Sequence, residues 1–371
     1  MCRAPIFKME NMMSIISAVE LKRNTFTLSN PQTNAERSTF DVPQAQVGAV
    51  EKWDSSVARV QQALHSIVEQ PEGLKIALEE QASAEQLLHS QFRAVQSQLP
   101  AESVYLRDNV QPELLALQSG SGLHLNTEDM FKFMSDREIL AMISGNMVDI
   151  KENYQKIFAS ATSKYADFFK DFSATITKLA GYFKADGTND MKVDVDSLQN
   201  DLLAVMSKHK NVALVSCDTE QEVKYWAKEL GLAADADISG SSRPAYIKMK
   251  DGKWCVYPNL EPLVQILVAS NYNNAGDKVK LDLSPRYGEA GDPAYTKNSG
   301  DWTWSRGAKL NNAIFQAWQT SHSTQKEQIQ STVQVLAEKF GRANSLYDNI
   351  VKVLSSMTSS LEEAAKNALR F

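Results

Sequence analysis

The chain has 371 residues, of which 43% are hydrophobic, 23% charged and 8% aromatic, and its formal net charge is −6. This length allows more than one domain, and the composition is that of a folded globular protein. The acidic balance argues against nucleic-acid binding, which needs a basic surface, and no segment approaches the about 18 uncharged apolar residues of a transmembrane helix.

The N-terminal part divides into three segments. Residues 1–42 are rich in Ser, Thr, Asn and Gln without a sustained period, which predicts a disordered region that carries no secretory signal peptide. Such a chain is either cytosolic or exported by a route that reads no such signal. Residues 43–100 show apolar steps of three and four on both sides of a break at 70–73, which predicts an N-terminal helical hairpin. Residues 101–134 contain a Gly-Ser run and are predicted to form a connector.

A long helix is predicted over residues 135–183. Ser135 and Glu138 have the spacing of a capping box, in which each residue's side chain accepts the other's backbone N–H. The predicted buried stripe, whose mean spacing is close to 3.6 residues, consists of Met147, Ile150, Tyr154, Ile157, Ala161, Tyr165, Phe168, Phe172, Ile176 and Leu179.

Residues 184–308 are predicted to form a small mixed α/β domain. Short strands are expected at 192–195 and 212–216, and a capping box at Thr219 and Glu222 opens a helix that ends at Gly231. An Asp-Gly turn at 251–252 predicts a β-hairpin, which pairs Met249 with Trp254 and Ile247 with Val256 and places these four residues on one apolar face.

A long polar loop is predicted over residues 271–308, because Gly, Asn, Asp and Pro interrupt every short pattern there. Trp302 and Trp304 lie in this segment, where little neighbouring sequence would bury them. Two interpretations stay open: the two indoles contact a partner or a membrane, or they fold back onto the mixed domain.

The C-terminal segment 309–371 contains the clearest pattern. Its apolar residues alternate steps of four and three, which predicts a coiled-coil helix whose antiparallel partner is the helix at 135–183. The seam consists of Ile329, Val333, Leu336, Phe340, Ala343, Tyr347, Ile350, Leu354, Met357, Leu361, Ala364 and Ala368. The predicted fold class is therefore mainly α, with a long antiparallel intramolecular coiled coil, an N-terminal helical hairpin and a small α/β (α+β) insert as a distal mixed domain.

Nothing in the sequence indicates catalysis. The five histidines lack metal-ligand spacing, and nucleotide-binding and hydrolase motifs are absent, so we expect no enzyme, no metal site and no cofactor. Cys2, Cys217 and Cys255 are interpreted as incidental thiols, and a Cys217–Cys255 bridge is the alternative.

Several segments carry a resemblance to a known family. ANSLYDNIVKVLSS at 343–356 and NAIFQAWQ at 312–319 resemble the C-terminal helix of the IpaD/SipD/BipD needle-tip proteins of type III secretion systems. KYADFFKDFS at 164–173 and KLAGYF at 178–183 are similar to the first coiled-coil helix of that family, and VDVDSLQNDL at 193–202 to the start of its distal domain.

The resemblance implies a secreted cap on the needle tip at the bacterial surface. This cap would control effector secretion and provide a platform from which hydrophobic translocator proteins insert into host membranes. The implied partners are the needle subunit, the translocators, further copies of the chain in a pentamer, and bile salts for some members. The implied role of the hairpin is that of an internal chaperone. The alternative is a cytosolic coiled-coil adaptor or export chaperone, which explains the helices and the acidity but not the mixed domain.

Two sets of residues follow as site candidates. Asn344, Asp348, Asn349 and Lys352 fall off the predicted seam, so they either face a needle or neighbouring subunit or are simply solvated. The predicted coiled-coil core includes Tyr154, Phe168, Phe172, Leu336, Phe340, Tyr347, Ile350, Leu354 and Leu361. The aromatic members of this stripe are core residues, or else they line a groove for a flat amphipathic ligand.

Overall fold

The computed structural model describes residues 44–99, 135–232, 245–260, 262–263, 266, 278–281, 302–305 and 309–368. These residues are mostly helical, with small antiparallel sheets. The predicted disordered region at 1–42 and the predicted connector at 101–134 lie outside the described residues. No described helix is long and apolar enough to cross a membrane.

Two helices form the N-terminal part of the described chain. Helix α1 covers Gln44–His65 and helix α2 covers Pro71–Gln98. Pro71 opens α2 because its fixed backbone angle suits the first helical position, where no N–H partner is required. Arg59 on α1 contacts Glu80 on α2 with a distance of 2.5 Å between Nη1 and Oε2. The break predicted at 70–73 is therefore the start of the second helix.

The first long helical stretch is continuous but not regular. Helix α3 covers Asp136–Ile150, a π-helical turn covers Lys151–Gln155, and helix α4 covers Lys156–Leu179 before a 3₁₀ turn at Ala180–Tyr182. The predicted capping box is confirmed, since the Ser135 side chain accepts the Glu138 N–H and the Glu138 carboxylate accepts the Ser135 N–H. The π turn was not predicted.

The π turn moves the buried stripe by one residue. The sequence pattern placed Ile157 on this stripe, but Ile157 is only partly buried, whereas Phe158 is 2% exposed. A π turn holds more residues than an α turn, so residues beyond it are rotated relative to an uninterrupted α-helix. The expected step from Tyr154 to Ile157 is therefore replaced by a step of four, from Tyr154 to Phe158.

Three short strands form the first antiparallel sheet. Strand β1 covers Phe183–Asp186, β2 covers Asp190–Val193, and β8 covers Lys309–Asn311, next to the C-terminal helix; their order in the sheet is β1-β2-β8. Helix α5 follows at Val195–His209, with the Asp194 side chain accepting the Ser197 N–H. The strand predicted at 192–195 therefore begins and ends two residues earlier, because Asp194 caps a helix.

The second three-stranded sheet consists of β3 at Val215–Cys217, β4 at Ala245–Lys250 and β5 at Lys253–Pro258, in the order β3-β5-β4. The predicted hairpin register is confirmed, including the Ile247–Val256 and Met249–Trp254 pairs. Its predicted apolar face is wrong in part, since Met249 is 56% exposed.

Both cysteines of this sheet are buried thiols that form no disulfide. Ser216 pairs with Cys255, whereas Cys217 pairs with Trp254. Because neighbouring residues of a strand point to opposite faces, the two thiols lie on opposite faces of the sheet. The alternative of a Cys217–Cys255 bridge is therefore wrong.

Helix α6 covers Glu220–Glu229 between β3 and β4. The Thr219 side chain accepts the Glu222 N–H, as the sequence predicts. The helix closes with the Gly231 N–H donating to Lys228 O and the Leu232 N–H to Ala227 O, and Gly231 has φ +72°. This left-handed C-terminal residue is the reason that a glycine stands at the predicted end of the helix.

The prediction of one continuous loop over 271–308 is wrong at two places. Strand β6 covers Lys278–Leu281 and pairs in antiparallel fashion with β7 at Trp302–Ser305. Trp302 pairs with Leu281 and Trp304 with Val279, so each tryptophan lies opposite an apolar residue in a strand. Gly- and Asn-rich flanks hid these short strands from pattern analysis. Contact of the two tryptophans with a partner or membrane stays a prediction.

Helix α7 covers Asn312–Ala368 and contains 57 residues. Its buried side chains follow the predicted seam at nearly every described position. Ile350 is the exception, because it is only partly buried while the adjacent Val351 is 1% exposed. Val351 and Ile350 both contact the same hydrophobic cluster, which shows that the apolar face here is wider than a two-residue seam.

The described residues form two compact units. The helical unit draws its residues from α1 up to Gln62, from Lys75–Lys156 and from Gly341–Phe371. The mixed unit draws them from Ala63–Leu74 and Ile157–Phe340 and contains all the strands.

Each unit has its own core. In the mixed unit, Thr162 Oγ1 donates to Leu336 O at 3.3 Å, and Tyr165 is hydrogen-bonded to Thr332. These two contacts occur in opposite order along α4 and α7. Phe158, Phe168, Phe172 and Phe340 are each at most 2% exposed in this unit.

Candidate functional site

The segment of α7 that resembles the needle-tip family lies in the helical unit and faces an unusually polar interior. Asn344 and Asp348 were expected off the buried seam, but they are 0% and 7% exposed, so that expectation is wrong. Asn349 and Lys352 are exposed, as expected. Because α7 packs against more than one helix here, its buried arc is wider than an a/d seam.

We call the interior polar residues of this unit the buried polar layer. They come from α1, α2, the α3–π-turn stretch and α7. The layer consists of Trp53, Gln81, Glu85, Lys151, Gln155, Asn344, Tyr347 and Asp348.

An amide cluster forms the first part of the layer. Gln81 on α2 and Gln155 at the end of the π turn both donate their Nε2–H to Asn344 Oδ1, at 2.9 and 2.6 Å. Gln81 and Gln155 are 4% and 7% exposed. Asn344 Nδ2 is buried and has no hydrogen-bond partner among the described residues. One carbonyl oxygen therefore connects three separate helices.

A carboxylate forms the second part. Glu85 on α2 is 3% exposed and accepts hydrogen bonds from Lys151 Nζ and the Tyr347 hydroxyl, with His89 Nε2 at 3.5 Å. Burial raises the pKa of Glu85, but hydrogen bonds from its three neighbours outweigh burial and hold the pKa below the ordinary value. Burial also raises the pKa of the Tyr347 phenol, which therefore remains a donor. Glu85 is thus a buried, ionised and fully paired acceptor.

A third contact ties α1 to α7. Trp53 Nε1 donates to Asp348 Oδ1 at 2.8 Å, and the Trp53 ring packs edge-on against Tyr347 with centroids 5.7 Å apart. Lys352 Nζ donates to Asp348 Oδ2 at 2.8 Å and lies 3.8 Å from Asp54 Oδ1. The hydrogen bond to Asp348 raises the pKa of Lys352. The same aspartate therefore serves a buried indole and a surface ammonium.

Sequence reasoning missed the hairpin side of this layer. In α2 the apolar pattern has a gap between Leu78 and Leu88, and Gln81 and Glu85 occupy the helical positions that complete the stripe. Polar residues at buried positions of an amphipathic stripe are the signal that could have identified them. The π turn, which brings Lys151 and Gln155 into the layer, has no comparable signal in the sequence.

The mixed unit contains a cluster of charged side chains around the partly buried Asp171. Asp171 Oδ2 lies 2.6 Å from His209 Nε2 and 2.7 Å from Lys208 Nζ. Burial raises the pKa of Asp171, but hydrogen bonds from Lys208 and His209 outweigh burial and lower it. No group of described His, Cys, Asp and Glu side chains could hold a metal ion.

The predicted core positions are nearly all buried in the structure. Their exposed fractions are at most 5% for Tyr154, Phe168, Phe172, Leu336, Phe340, Tyr347, Leu354 and Leu361. The aromatic rings among them contact one another, for example Tyr165 with Phe168 at 5.7 Å and Phe168 with Phe172 at 6.3 Å between centroids. This mutual packing supports the interpretation as core residues, and the groove for a flat amphipathic ligand stays a prediction.

Comparison with known proteins identifies a family match along most of the chain. The family of "Type III secretion systems tip complex components" matches residues 12–288 and 303–369. Among similar proteins, the cell invasion protein SipD of Salmonella typhi is 30% identical over 251 residues, which cover 64% of this chain and 62% of SipD. The invasin IpaD of Shigella flexneri is 28% identical over 245 residues, which cover 65% of this chain and 62% of IpaD.

The chain thus matches about three fifths of the length of these relatives. A solved structure, that of a pathogenicity island 1 effector protein from Chromobacterium violaceum, is 22% identical, with a TM-score of 0.49. The alignment covers 86% of this chain and 96% of that one.

Proposed function

The chain belongs to the family of type III secretion system tip complex components, and we propose that it caps the secretion needle. In this role it controls effector secretion and provides the platform from which hydrophobic translocators insert into host membranes. The observation that carries the proposal is the family match over residues 12–288 and 303–369. The family is one of secretion-system components and not an enzyme family, so we propose that the chain acts without catalysis.

The proposed mechanism is geometric. Residues 135–183 and 309–371 form an antiparallel intramolecular coiled coil, residues 43–100 form a self-chaperoning hairpin, and residues 184–308 form a distal domain that faces the host. Support comes from the Thr162–Leu336 and Tyr165–Thr332 contacts and from the continuous buried stripe of α7. Copies of the chain assemble on the needle in a ring, which we propose to be a pentamer.

We propose that the exposed side of α7 near Asn349 and Lys352 contacts the needle subunit or a neighbouring copy. Both side chains are exposed, whereas Asn344 and Asp348 are occupied inside the helical unit. Deleting residues 343–371 would be a poor test, because that segment also supplies buried residues such as Tyr347 and Leu354. Point substitutions on the surface avoid this problem.

The test is binding of the full-length chain to purified needle subunit. Lys352→Glu is expected to weaken binding about tenfold, which corresponds to about 1.4 kcal/mol. Lys156→Glu is the matched control, because Lys156 is also 55% exposed and also pairs with an acidic residue four positions earlier. Equal binding by both variants, with unchanged circular dichroism, would exclude this surface as the contact with the needle subunit.

Export is tested separately. The protein is expected in culture supernatant only when the type III apparatus is intact. Retention in the cytosol regardless of the apparatus would favour the adaptor or export-chaperone alternative.

Bile-salt binding, which the family resemblance implies for some members, stays a proposal. Deoxycholate titration of the labelled chain is expected to shift resonances of residues in the hairpin and the long helices. No change in these resonances would exclude bile salts as ligands.

A further inference from the structure

The amide cluster contains a buried hydrogen-bond donor that has no acceptor among the described residues, and a contribution to stability does not explain it. Asn344 is 0% exposed, its Oδ1 accepts two hydrogen bonds, and its Nδ2 has no partner among the described residues. A buried donor without an acceptor lowers stability, whereas an apolar side chain of similar shape at this position would carry no such penalty. The retention of an amide here therefore requires another reason.

The apolar contacts around the cluster do not define a unique alignment of the helices. The seam of α7 offers an apolar side chain at nearly every turn, including Ala343, Tyr347, Val351, Leu354 and Met357. Sliding the hairpin along α7 by one turn, about 5.4 Å, would place apolar residues on apolar residues again. Hydrophobic burial is non-directional, so it distinguishes such alignments poorly.

Hydrogen bonds distinguish well between helix alignments that differ by one turn, because a hydrogen bond tolerates little change in distance or angle. A shift of the hairpin by one turn would separate Asn344 Oδ1 from the Gln81 amide, and a shift of the first long helix would separate it from the Gln155 amide. Either shift would leave a buried glutamine amide without this acceptor. The three side chains come from α2, the π turn and α7, so the cluster restrains three helices at one level. A single buried Asn is known to fix the register of coiled coils in this way, at a cost in stability.

We propose that Asn344, through Gln81 and Gln155, determines the axial register of the hairpin and the first long helix against α7. This role goes beyond capping the needle, because it concerns how the chain selects one alignment among several of similar apolar content. If this is correct, loss of the cluster changes the register of the helices without lowering the stability of the protein. Removing the whole cluster leaves the protein stable but allows more than one alignment.

The experiment uses the full-length chain with Cys2→Ser, in which the remaining cysteines, Cys217 and Cys255, are 1% and 5% exposed. Asp54 and Lys352 lie 3.8 Å apart, and about half of each side chain is exposed. Because these two side chains meet across α1 and α7, the Asp54→Cys/Lys352→Cys pair is chosen to report the native register, and its closure in the parent calibrates the test. The Asp54→Cys/Ser356→Cys and Asp54→Cys/Asn349→Cys pairs report shifts of about one turn in either direction.

The key variant carries Gln81→Met, Asn344→Leu and Gln155→Met, which replace the three amides by apolar side chains of similar shape. Its melting temperature is expected to equal or exceed that of the parent. A shifted disulfide is expected to close beside the native one but at a lower yield, because the Tyr347–Glu85 and Trp53–Asp348 hydrogen bonds still favour the native register. The parent is expected to close only the native pair. If the triple variant closes only the native pair, the proposal is overturned.

Two further variants complete the test. Thr358→Val is the matched control, because Thr358 is 3% exposed and its hydroxyl donates only to Leu354 O of its own helix, at 2.7 Å. It should keep the native register. If the triple variant does not fold, Asn344→Ala is assayed with the same cysteine pairs. A shifted disulfide in this variant supports the proposal, and closure of the native pair alone overturns it.

Discussion

Gly231 is a glycine at which an added Cβ would meet neighbouring atoms. It has φ +72°, and a Cβ at this position would lie 2.9 Å from Val335 Cγ1 on α7. Gly231→Ala is therefore expected to lose about 1–2 kcal/mol through the left-handed backbone and at least about 1 kcal/mol more through the contact. Urea denaturation measures the loss.

Gly252→Ala is the control for backbone strain. Gly252 has φ +75°, and a Cβ added there would meet no heavy atom of the described residues within 4 Å. The Gly252→Ala variant should therefore lose only the about 1–2 kcal/mol of unfolding free energy that the left-handed backbone costs. Equal losses for the two alanine variants would show that α7 yields to the extra methyl group.

The ionisation of Glu85 predicts how stability depends on pH. Its pKa is lowered in the folded protein, so it stabilises the fold fully above its ordinary pKa of 4.5, and this contribution is lost as the pH falls through the lowered folded-state pKa. The unfolding free energy of the parent should therefore fall more steeply below pH 4.5 than that of Glu85→Gln. Chemical denaturation at a series of pH values measures both slopes. Identical slopes would show that the fold does not lower the pKa of Glu85.

At the scale of helices and strands, sequence patterns predicted the elements that have local signals. The Ser135 capping box, the β4–β5 register and the end of α6 at Gly231 each depend on a few neighbouring residues, and each is confirmed. The π turn depends on what packs against it, so the pattern placed Ile157 where the structure buries Phe158. Asn344 was predicted to lie outside the buried seam for the same reason, because the pattern of its own helix does not show the two glutamines that bond to it.

The shifted stripe can be tested by a pair of alanine substitutions. Phe158→Ala is expected to cost about 3–5 kcal/mol, because the ring is 2% exposed and packs edge-on against Trp226 with centroids 5.9 Å apart. Ile157→Ala is the control and should cost less than half of that, since Ile157 is only partly buried. The denaturation midpoints of the two variants show which substitution lowers stability more. A larger loss for Ile157→Ala would contradict the effect assigned to the π turn.

At the scale of the whole molecule, composition and periodicity predicted a mostly helical chain with a small α/β part, and the described residues have this character. The division into two compact units was not visible in the sequence. Helices α1, α2 and α7 each contribute to both units, and a periodic stripe does not reveal where one core ends and the next begins. The family match extends over both units.

Separate cores predict separate responses to substitution. Trp53→Phe removes the indole donor to Asp348 in the helical unit, whereas Gly231→Ala disturbs the mixed unit. Local opening depends on local contacts, so hydrogen exchange should rise in different peptides for the two variants. Trp53→Phe is expected to raise exchange in 75–98 and 341–361, and Gly231→Ala in 195–232.

Hydrogen exchange with mass spectrometry on the full-length chain measures this pattern. Thr358→Val serves as a third variant, because it removes a buried hydroxyl that is bonded within its own helix. This variant should leave exchange in the mixed unit unchanged. If Trp53→Phe and Gly231→Ala instead raise exchange equally over both units, the chain opens as one cooperative body, because α7 then couples the two cores. Confined responses would mean that each core opens independently although α7 contributes to both.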